Sequence, residues 1–503
     1  MKRACARASC AVLRGGRRAL HAFPLGLLVA AGLVAPRTAP LPSPAVARLE
    51  PAAPASAAIA TIDALACASP ARCFAAGSTV APGAPGSSTS AVLLGTSDAG
   101  HSWSAEPTPP GSSSLAAISC ASVAYCTAVG SAAGPDPYSL PAASIVATTS
   151  SGTSWVAQPA PPGAPFLSGV SCAGLAPGSS AGTGGVGGTT TGSVGAGCWS
   201  SVTFNGVIAT TDGGAGWGLQ AMPVPGNPVQ LRAMSCSTGG ACASAGNYYD
   251  AADATMVPLL VDNPAAATNG GGWAVRPLPF ASGRLDGIDC SSANECVAVG
   301  QEPGPPPGAA GSSGQGAGAA QGVIVVSSDV AAGAPAWTMA APAGVGILES
   351  VSCPTASICV AVGGNAPAGS PGGSLGTGVV LVSENGGSTW SSAALPPGVG
   401  LLDAVTCPTA SSCLAAGKSV ASGIVMLSSS DGGGTWSYDQ APESVPVPGA
   451  GTPGGAVSGH YLSTIAGSLA AAGPAANVGS ATAPQTITDY VRTYVLGCQC
   501  EVV

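Results

Sequence analysis

The residues best placed to do covalent chemistry in this sequence are its cysteines, 18 in a chain of 503 residues. Six couples are separated by five residues: Cys67/Cys73, Cys120/Cys126, Cys236/Cys242, Cys290/Cys296, Cys353/Cys359 and Cys407/Cys413. A seventh, Cys172/Cys198, keeps its place in the order around a Gly/Ser/Thr-rich insertion. Cys5 and Cys10 lie at the start of the chain, and Cys498 and Cys500 at its end. Such couples either hold a metal or oxidise to disulfides. Zinc sites favour about two to four residues between cysteines, with His partners. The chain has three His, namely His21, His101 and His460. Disulfides are therefore expected, each closing a short loop and stabilising by on the order of 2 kcal/mol.

Other chemistry is sparse. His101 and His460 do not complete a Ser-His-Asp set, and no phosphate loop, nucleotide fingerprint or metal cluster is present. No catalytic residue, cofactor or metal ligand is expected. A glycosidase needs two carboxylates flanking a sugar. Asp136, Asp250 and Glu302 could face a cleft, but their Pro, Gly and Ala neighbours offer nothing to tune a pKa. Asn247-Tyr248-Tyr249-Asp250 is the richest polar-aromatic cluster, so Tyr248, Tyr249 and Asp250 form the candidate contact patch.

Charge narrows the partners. Only 7% of residues are charged. Eight of the 14 Lys and Arg fall within the first 48 residues, and from 51 to 503 there are 21 acids against 6 bases, a net of −15. That body is a poor partner for nucleic acid, which wants clustered Lys and Arg, and for anionic lipid.

The basic leader (Lys2, Arg3, Arg7, Arg14, Arg17, Arg18) precedes an apolar run from Phe23 to Ala35 and an A-x-A-like site at Ala45-Val46-Ala47. This reads as a secretory signal within 1–47, with a cut nearer Ala35 as the alternative. The apolar run is shorter than the roughly 20 residues that span a bilayer, so no membrane span is expected after cleavage. The chain should be secreted or held at the cell envelope, where disulfides persist.

The cysteine couples sit in a repeating context. Leu348-Glu349-Ser350-Val351-Ser352-Cys353 resembles Leu402-Asp403-Ala404-Val405-Thr406-Cys407, and Cys359-Val360-Ala361-Val362-Gly363 resembles Cys296-Val297-Ala298-Val299-Gly300. Two alternating strands flanking a five-residue turn make a hairpin. Cysteines across its mouth meet disulfide geometry, with Cα atoms about 5.5 Å apart.

Downstream of each couple come an apolar strand, a Gly-rich turn and a Trp. The turns run from Thr96 through Asp98 to Trp103, from Thr210 through Asp212 to Trp217, and from Ser429 through Asp431 to Trp436. Asn385 replaces the Asp before Trp390, and Ser150 replaces it before Trp155. The versions ending at Trp273 and Trp337 are degenerate. The Asp is expected to accept backbone N–H bonds from two residues on. The Trp is expected to pack between neighbouring sheets, with a partner for its N–H.

The pattern Ser/Thr-x-Asp-x-Gly-x-Ser/Thr-Trp resembles the Asp-box, or BNR repeat, of sialidase-like, sortilin-like and photosystem II assembly-factor-like propellers. The resemblance spans about 60 to 440. It implies an all-β, seven-bladed β-propeller of four-stranded antiparallel blades, with structural roles for the turn residues. A sialidase would also need converging arginines, and only Arg72, Arg232, Arg276 and Arg284 lie in this region. The resemblance therefore carries fold and not activity.

First cysteines recur every 52 to 64 residues, which suits one blade each. The organisation expected is a signal and processing region (1–47), a linker (48–57), the propeller (58–440), and a Pro/Gly-rich linker with an irregular tail (441–503). Two functions remain open. One is an exported, non-catalytic scaffold binding a protein or glycan. The other is a diverged carbohydrate-active hydrolase using loop carboxylates.

Overall fold

Seven times in succession the chain lays down four short antiparallel strands and closes them into one sheet. The computed structural model describes residues 59–439 apart from 81–88, 134–140, 175–195, 203–205, 211, 223–228, 238–239, 251–252, 254, 265, 267–271, 293–294, 304–319, 328–335, 341–344, 366–375 and 421–422. The expected signal, both linkers, the tail with Cys498 and Cys500, Asp136 and the 175–195 insertion lie outside the described residues.

Blade 1 comprises β1 (Ile59–Cys67), β2 (Cys73–Val80), β3 (Thr89–Thr96) and β4 (Ser104–Ala105). Blade 2 comprises β5 (Ser112–Cys120), β6 (Cys126–Ala132), β7 (Ala142–Thr148) and β8 (Val156–Gln158). Blade 3 comprises β9 (Leu167–Gly174), β10 (Ala196–Val202), β11 (Gly206–Thr210) and β12 (Gly218–Ala221). Blade 4 comprises β13 (Val229–Cys236), β14 (Cys242–Asp250), β15 (Thr255–Asn263) and β16 (Ala274–Arg276). Blade 5 comprises β17 (Arg284–Cys290), β18 (Cys296–Glu302), β19 (Gln321–Ser327) and β20 (Thr338–Ala340). Blade 6 comprises β21 (Ile347–Ser352), β22 (Cys359–Asn365), β23 (Thr377–Ser383) and β24 (Ser391–Ser392). Blade 7 comprises β25 (Val399–Thr406), β26 (Cys413–Ser419), β27 (Ile424–Ser429) and β28 (Ser437–Tyr438). The architecture is thus a seven-bladed, all-β propeller of four-stranded antiparallel blades. The outermost strands are only two to four residues long, which keeps the exposed edge of each sheet too short to recruit another chain.

Seven disulfides clip the first two strands of the seven blades: Cys67–Cys73, Cys120–Cys126, Cys172–Cys198, Cys236–Cys242, Cys290–Cys296, Cys353–Cys359 and Cys407–Cys413. Their Cα atoms are 3.9 to 4.1 Å apart, closer than expected. The reason is register. Cys67 faces Cys73 directly, and the adjacent Ala68 N–H bonds the Arg72 carbonyl, so the cysteines occupy the close, non-hydrogen-bonded pair of the ladder.

The first strand of every blade carries the feature that shapes the centre of the ring. Five residues before the first cysteine stands a large aliphatic side chain that is fully buried: Ile62, Leu115, Leu167, Leu231, Leu285, Leu348 and Leu402. At the next residue the ladder slips. Asp63, Ala116, Ser168, Arg232, Asp286, Glu349 and Asp403 each have no partner on the second strand. A β-bulge of this kind re-aims a side chain, and here all seven side chains line one axial cavity. The second strand accommodates the bulge with glycine. A Cβ on Gly77, Gly130, Gly246, Gly300, Gly363 or Gly417 would collide with the carbonyl of Thr61, Ser114, Gln230, Arg284, Ile347 or Leu401. Blade 3 is the exception, with Val202 at the slip.

Blades are joined chiefly by packing. Each turn Trp wedges into the preceding blade. Trp155 meets Phe74 edge-on at 5.4 Å, and Trp436 packs with Val360 and Val380. Trp103 of blade 1 packs with Leu414 and Met426 of blade 7, which closes the ring. Among the described residues no strand is exchanged across that seam. A relay of hydrogen bonds supplements the packing. The N–H of Cys172, Cys236, Cys290, Cys353 and Cys407 donates to Ser119, Ser171, Ser235, Asp289 and Ser352 of the blade before. Ala66 stands at this position in blade 1. There Arg72 reaches across instead, donating to the Ser151 carbonyl at 3.0 Å and pairing with Glu106 at 2.8 Å.

Because the glycine opposite each bulge touches backbone that has no free rotamer, Gly363→Ala is expected to destabilise by about 1–3 kcal/mol. Denaturant unfolding of the oxidised protein checks this. An unchanged midpoint would mean that the two backbones do not approach closely there.

Candidate functional site

The bulges build the candidate site. In ring order they present Asp63, Ala116, Ser168, Arg232, Asp286, Glu349 and Asp403, all four residues before a first cysteine. Arg284 of β17 and Lys418 of β26 pair with these acids. The residue after the bulge is small in every blade (Ala64, Ala117, Gly169, Ala233, Gly287, Ser350, Ala404), so the inner strands can crowd the axis. A Cβ on Gly169 would stand 2.9 Å from Ala233 Cα. The cavity they enclose is about 140 Å³.

Four carboxylates face three cations, a formal net of −1. Arg284 Nε pairs with Asp286 Oδ2 at 2.9 Å, and its Nη2 lies 3.6 Å from Glu349 Oε1. Arg232 Nε lies 3.4 Å from Asp286 Oδ1 and donates to Asn247 Oδ1 at 3.2 Å. Lys418 Nζ lies 3.4 Å from Asp403 Oδ2. Burial in the ring disfavours charge. It pushes Glu349 up to about 7, helped by repulsion from Asp286 and resisted by Arg284. It pushes Asp63 up to about 6, helped by Asp403 across the seam and resisted by Lys418. Asp403 is also raised by burial, against the pull of Lys418. The two arginines diverge. Burial lowers Arg232, while in Arg284 the carboxylates of Asp286 and Glu349 outweigh burial and raise it. Among the described residues no three His, Cys, Asp or Glu side chains are grouped to hold a metal ion.

This ring was not among the residues singled out from sequence. Its signal was present as an offset: one residue in each blade, always four before the first cysteine, with its type free to vary. The variation hides it, since Ala116 and Ser168 share the position with five charged residues.

The residues that were singled out lie elsewhere. Tyr248, Tyr249 and Asp250 are half-buried at the end of β14, and Tyr248 packs on the core between blades 3 and 4. Their neighbour Asn247 is fully buried and touches the ring through Arg232. Glu302 ends β18, and burial raises its carboxyl, which corrects the expectation that nothing there tunes a pKa.

The turn residues form a second regular array, away from the axis. Asp98 Oδ1 accepts from the Ser102 N–H at 2.9 Å, Asp431 Oδ1 from Thr435 at 2.9 Å, Asp212 Oδ1 from Gly216 at 3.1 Å and Asn385 Oδ1 from Thr389 at 2.9 Å. The donor is four residues on, not two, because two consecutive positive-φ residues, Gly432 and Gly433 in blade 7, swing the chain back over the carboxylate. The residue two before the Asp completes the clasp. Thr96 Oγ1 donates to Asp98 at 2.6 Å and accepts from the Gly100 N–H. The Ser102 hydroxyl holds Asp98 down at about 2, and the Thr435 hydroxyl does the same for Asp431. The Trp N–H groups of Trp217, Trp273, Trp390 and Trp436 find acceptors, whereas those of Trp103, Trp155, Trp337 and the additional buried Trp199 have none among the described residues.

No protein family matches this sequence, and no curated protein matches it. Solved structures with a similar fold include YCF48 bound to D1 peptide, at 14% identity and TM-score 0.45, covering 74% of this chain and 94% of that one. YCF48 from Cyanidioschyzon merolae aligns at 12% identity and TM-score 0.45, covering 74% of this chain and 96% of that one. The GH74 enzyme of Niastella koreensis aligns at 13% identity and TM-score 0.37, covering 75% and 65% respectively. No residue role is carried over from any of them.

The raised carboxyls give a pH dependence whose sign follows from linkage. Between the ordinary Glu value of about 4.3 and about 7, the folded chain keeps a proton on Glu349 that the unfolded chain has lost. Stability is therefore expected to fall, by on the order of 2 kcal/mol, as pH rises from about 5 to 8. Glu349→Gln should flatten much of that slope in denaturant titrations. A wild-type profile already flat over this window would contradict the ring's electrostatics.

Proposed function

We propose that this chain is an exported, non-catalytic propeller that serves as a binding or structural scaffold for a protein or glycan partner, at the cell surface or in the medium. The observation that carries the reading is the economy of the axial site. Its charged groups are largely spent on one another, in a cavity of about 140 Å³. Pockets for organic ligands run to roughly 300–1,000 Å³. A sugar chain or peptide therefore has to be met by the faces of the ring. The disulfide in each of the seven blades supports an oxidising, extracytoplasmic setting. Among the described residues no helix is long and apolar enough to cross a membrane. The half-buried tyrosines at the end of β14 supply amphipathic contact surface of the kind enriched at interfaces.

A second reading has one observation in its favour. Asp250 and Glu302 end the second strands of adjacent blades, and burial raises the Glu302 carboxyl as a general acid requires. In that reading these two carboxylates would cleave a glycoside.

One experiment separates the two. The oxidised protein is incubated with envelope proteins, with a glycan array and with a panel of aryl-glycosides. Saturable capture without bond cleavage is expected, weakened by Tyr249→Ala. Glycoside hydrolysis that disappears in Glu302→Gln would replace the scaffold reading with the hydrolase.

A further inference from the structure

Arg232 is the ring cation that lines the axial cavity itself. Its Nε bonds Asn247, its Nη2 bonds Gln230 Oε1 at 3.3 Å, and its Nη1 makes no hydrogen bond among the described residues. Its ion pair among the described residues is the long one to Asp286 Oδ1 at 3.4 Å, while Arg284 holds the other oxygen, Oδ2, at 2.9 Å, and Glu349 acts on it from further off. The Arg232 side chain is 34% exposed, into the cavity. The ring positions that precede it, Ala116 and Ser168, carry small side chains. Ser168 adds a hydroxyl next to it, bonded to the Leu231 carbonyl. Arg232 thus brings a spare donor to a cavity of about 140 Å³.

We propose that the axial cavity binds a small monovalent anion, of chloride or acetate size, on Arg232, and that binding is coupled to protonation of Glu349. The groups facing Glu349 are Arg284 and Asp286 on β17, Arg232 on β13 and Asp403 on β25. When Glu349 is ionised, the ring carries a formal −1 and repels an incoming anion. When Glu349 takes a proton the formal charge becomes zero, and protonation of Asp63 makes it +1. Burial already places the Glu349 carboxyl near 7 and Asp63 near 6, so both changes fall between mildly alkaline and mildly acidic conditions. By reciprocity, anion binding must draw protons onto the same carboxyls. The step is pure association; no bond is made or broken. The body as a whole is strongly acidic, a net of −15 over 51–503, so a non-specific chloride atmosphere is weak.

The test is chlorine NMR line broadening by the oxidised full chain in chloride-containing, otherwise non-coordinating buffer. Excess line width at about pH 5.5 should exceed that at about pH 8 by about threefold or more, and acetate should compete it away. Arg232→Gln should abolish it, with the fold checked by far-ultraviolet circular dichroism. Glu349→Gln should restore broadening at about pH 8, and it decides the matter even if Arg232→Gln fails to fold. Broadening equal at both pH values, unchanged in Arg232→Gln, or absent at alkaline pH in Glu349→Gln would overturn the proposal. These readouts are independent of whether a protein or glycan partner is found.

Discussion

The structure turns on a close approach between two backbones: a bulged inner strand pressed against a glycine of the second strand. In six blades there is no room at that glycine for even a methyl group, because the carbonyl of the neighbouring strand occupies the space. The bulge re-aims one side chain per blade toward the axis. The buried aliphatic residue just before it and the disulfide four residues after it hold the inner strand in register on either side. Burial, crowding and charge at the centre all follow from that local geometry being repeated around a ring.

Repetition also explains how a chain with 75 Gly and 46 Pro holds a fixed shape. Each blade is clipped covalently within itself, wedged onto its predecessor by a Trp, and tied to it in most interfaces by a single backbone-to-hydroxyl bond. Where that bond is absent, between blades 1 and 2, an arginine reaches across with two donors to one carbonyl, that of Ser151. The seam between blades 7 and 1 has the Trp103 wedge and the Asp63, Asp403 and Lys418 group at its inner end. There two acids, Asp63 and Asp403, share one lysine. Protonation of Asp63 relieves this, which links seam and ring to the same pH range.

Much of the fold was legible in the sequence because it depends on residues with few substitutes. A disulfide needs two cysteines, the turn needs Gly at positive φ, and the wedge needs a ring as large as Trp. These recur at fixed offsets and give blade number, strand order and cysteine pairing. The ring was not legible for the opposite reason. A bulge specifies where a side chain points and leaves its type free, so Ala116 and Glu349 are equivalent in geometry and unlike in letter. The glycine opposite the bulge stands in the repeated segment Cys359-Val360-Ala361-Val362-Gly363, but its role emerges only when the two strands are set side by side. Likewise Asp98 was read as bonding two residues ahead, because the doubled positive-φ turn that brings Ser102 back is a property of backbone angles.

The central claim is that seven bulge residues converge on a common axis and share one electrostatic environment. Site-resolved carbon NMR titration of the Asp and Glu carboxyls measures this directly. The account predicts midpoints near 7 for Glu349 and near 6 for Asp63, with Asp403→Asn lowering the Asp63 midpoint although the two residues lie at opposite ends of the propeller sequence. Ordinary midpoints for both, indifferent to Asp403→Asn, would contradict it.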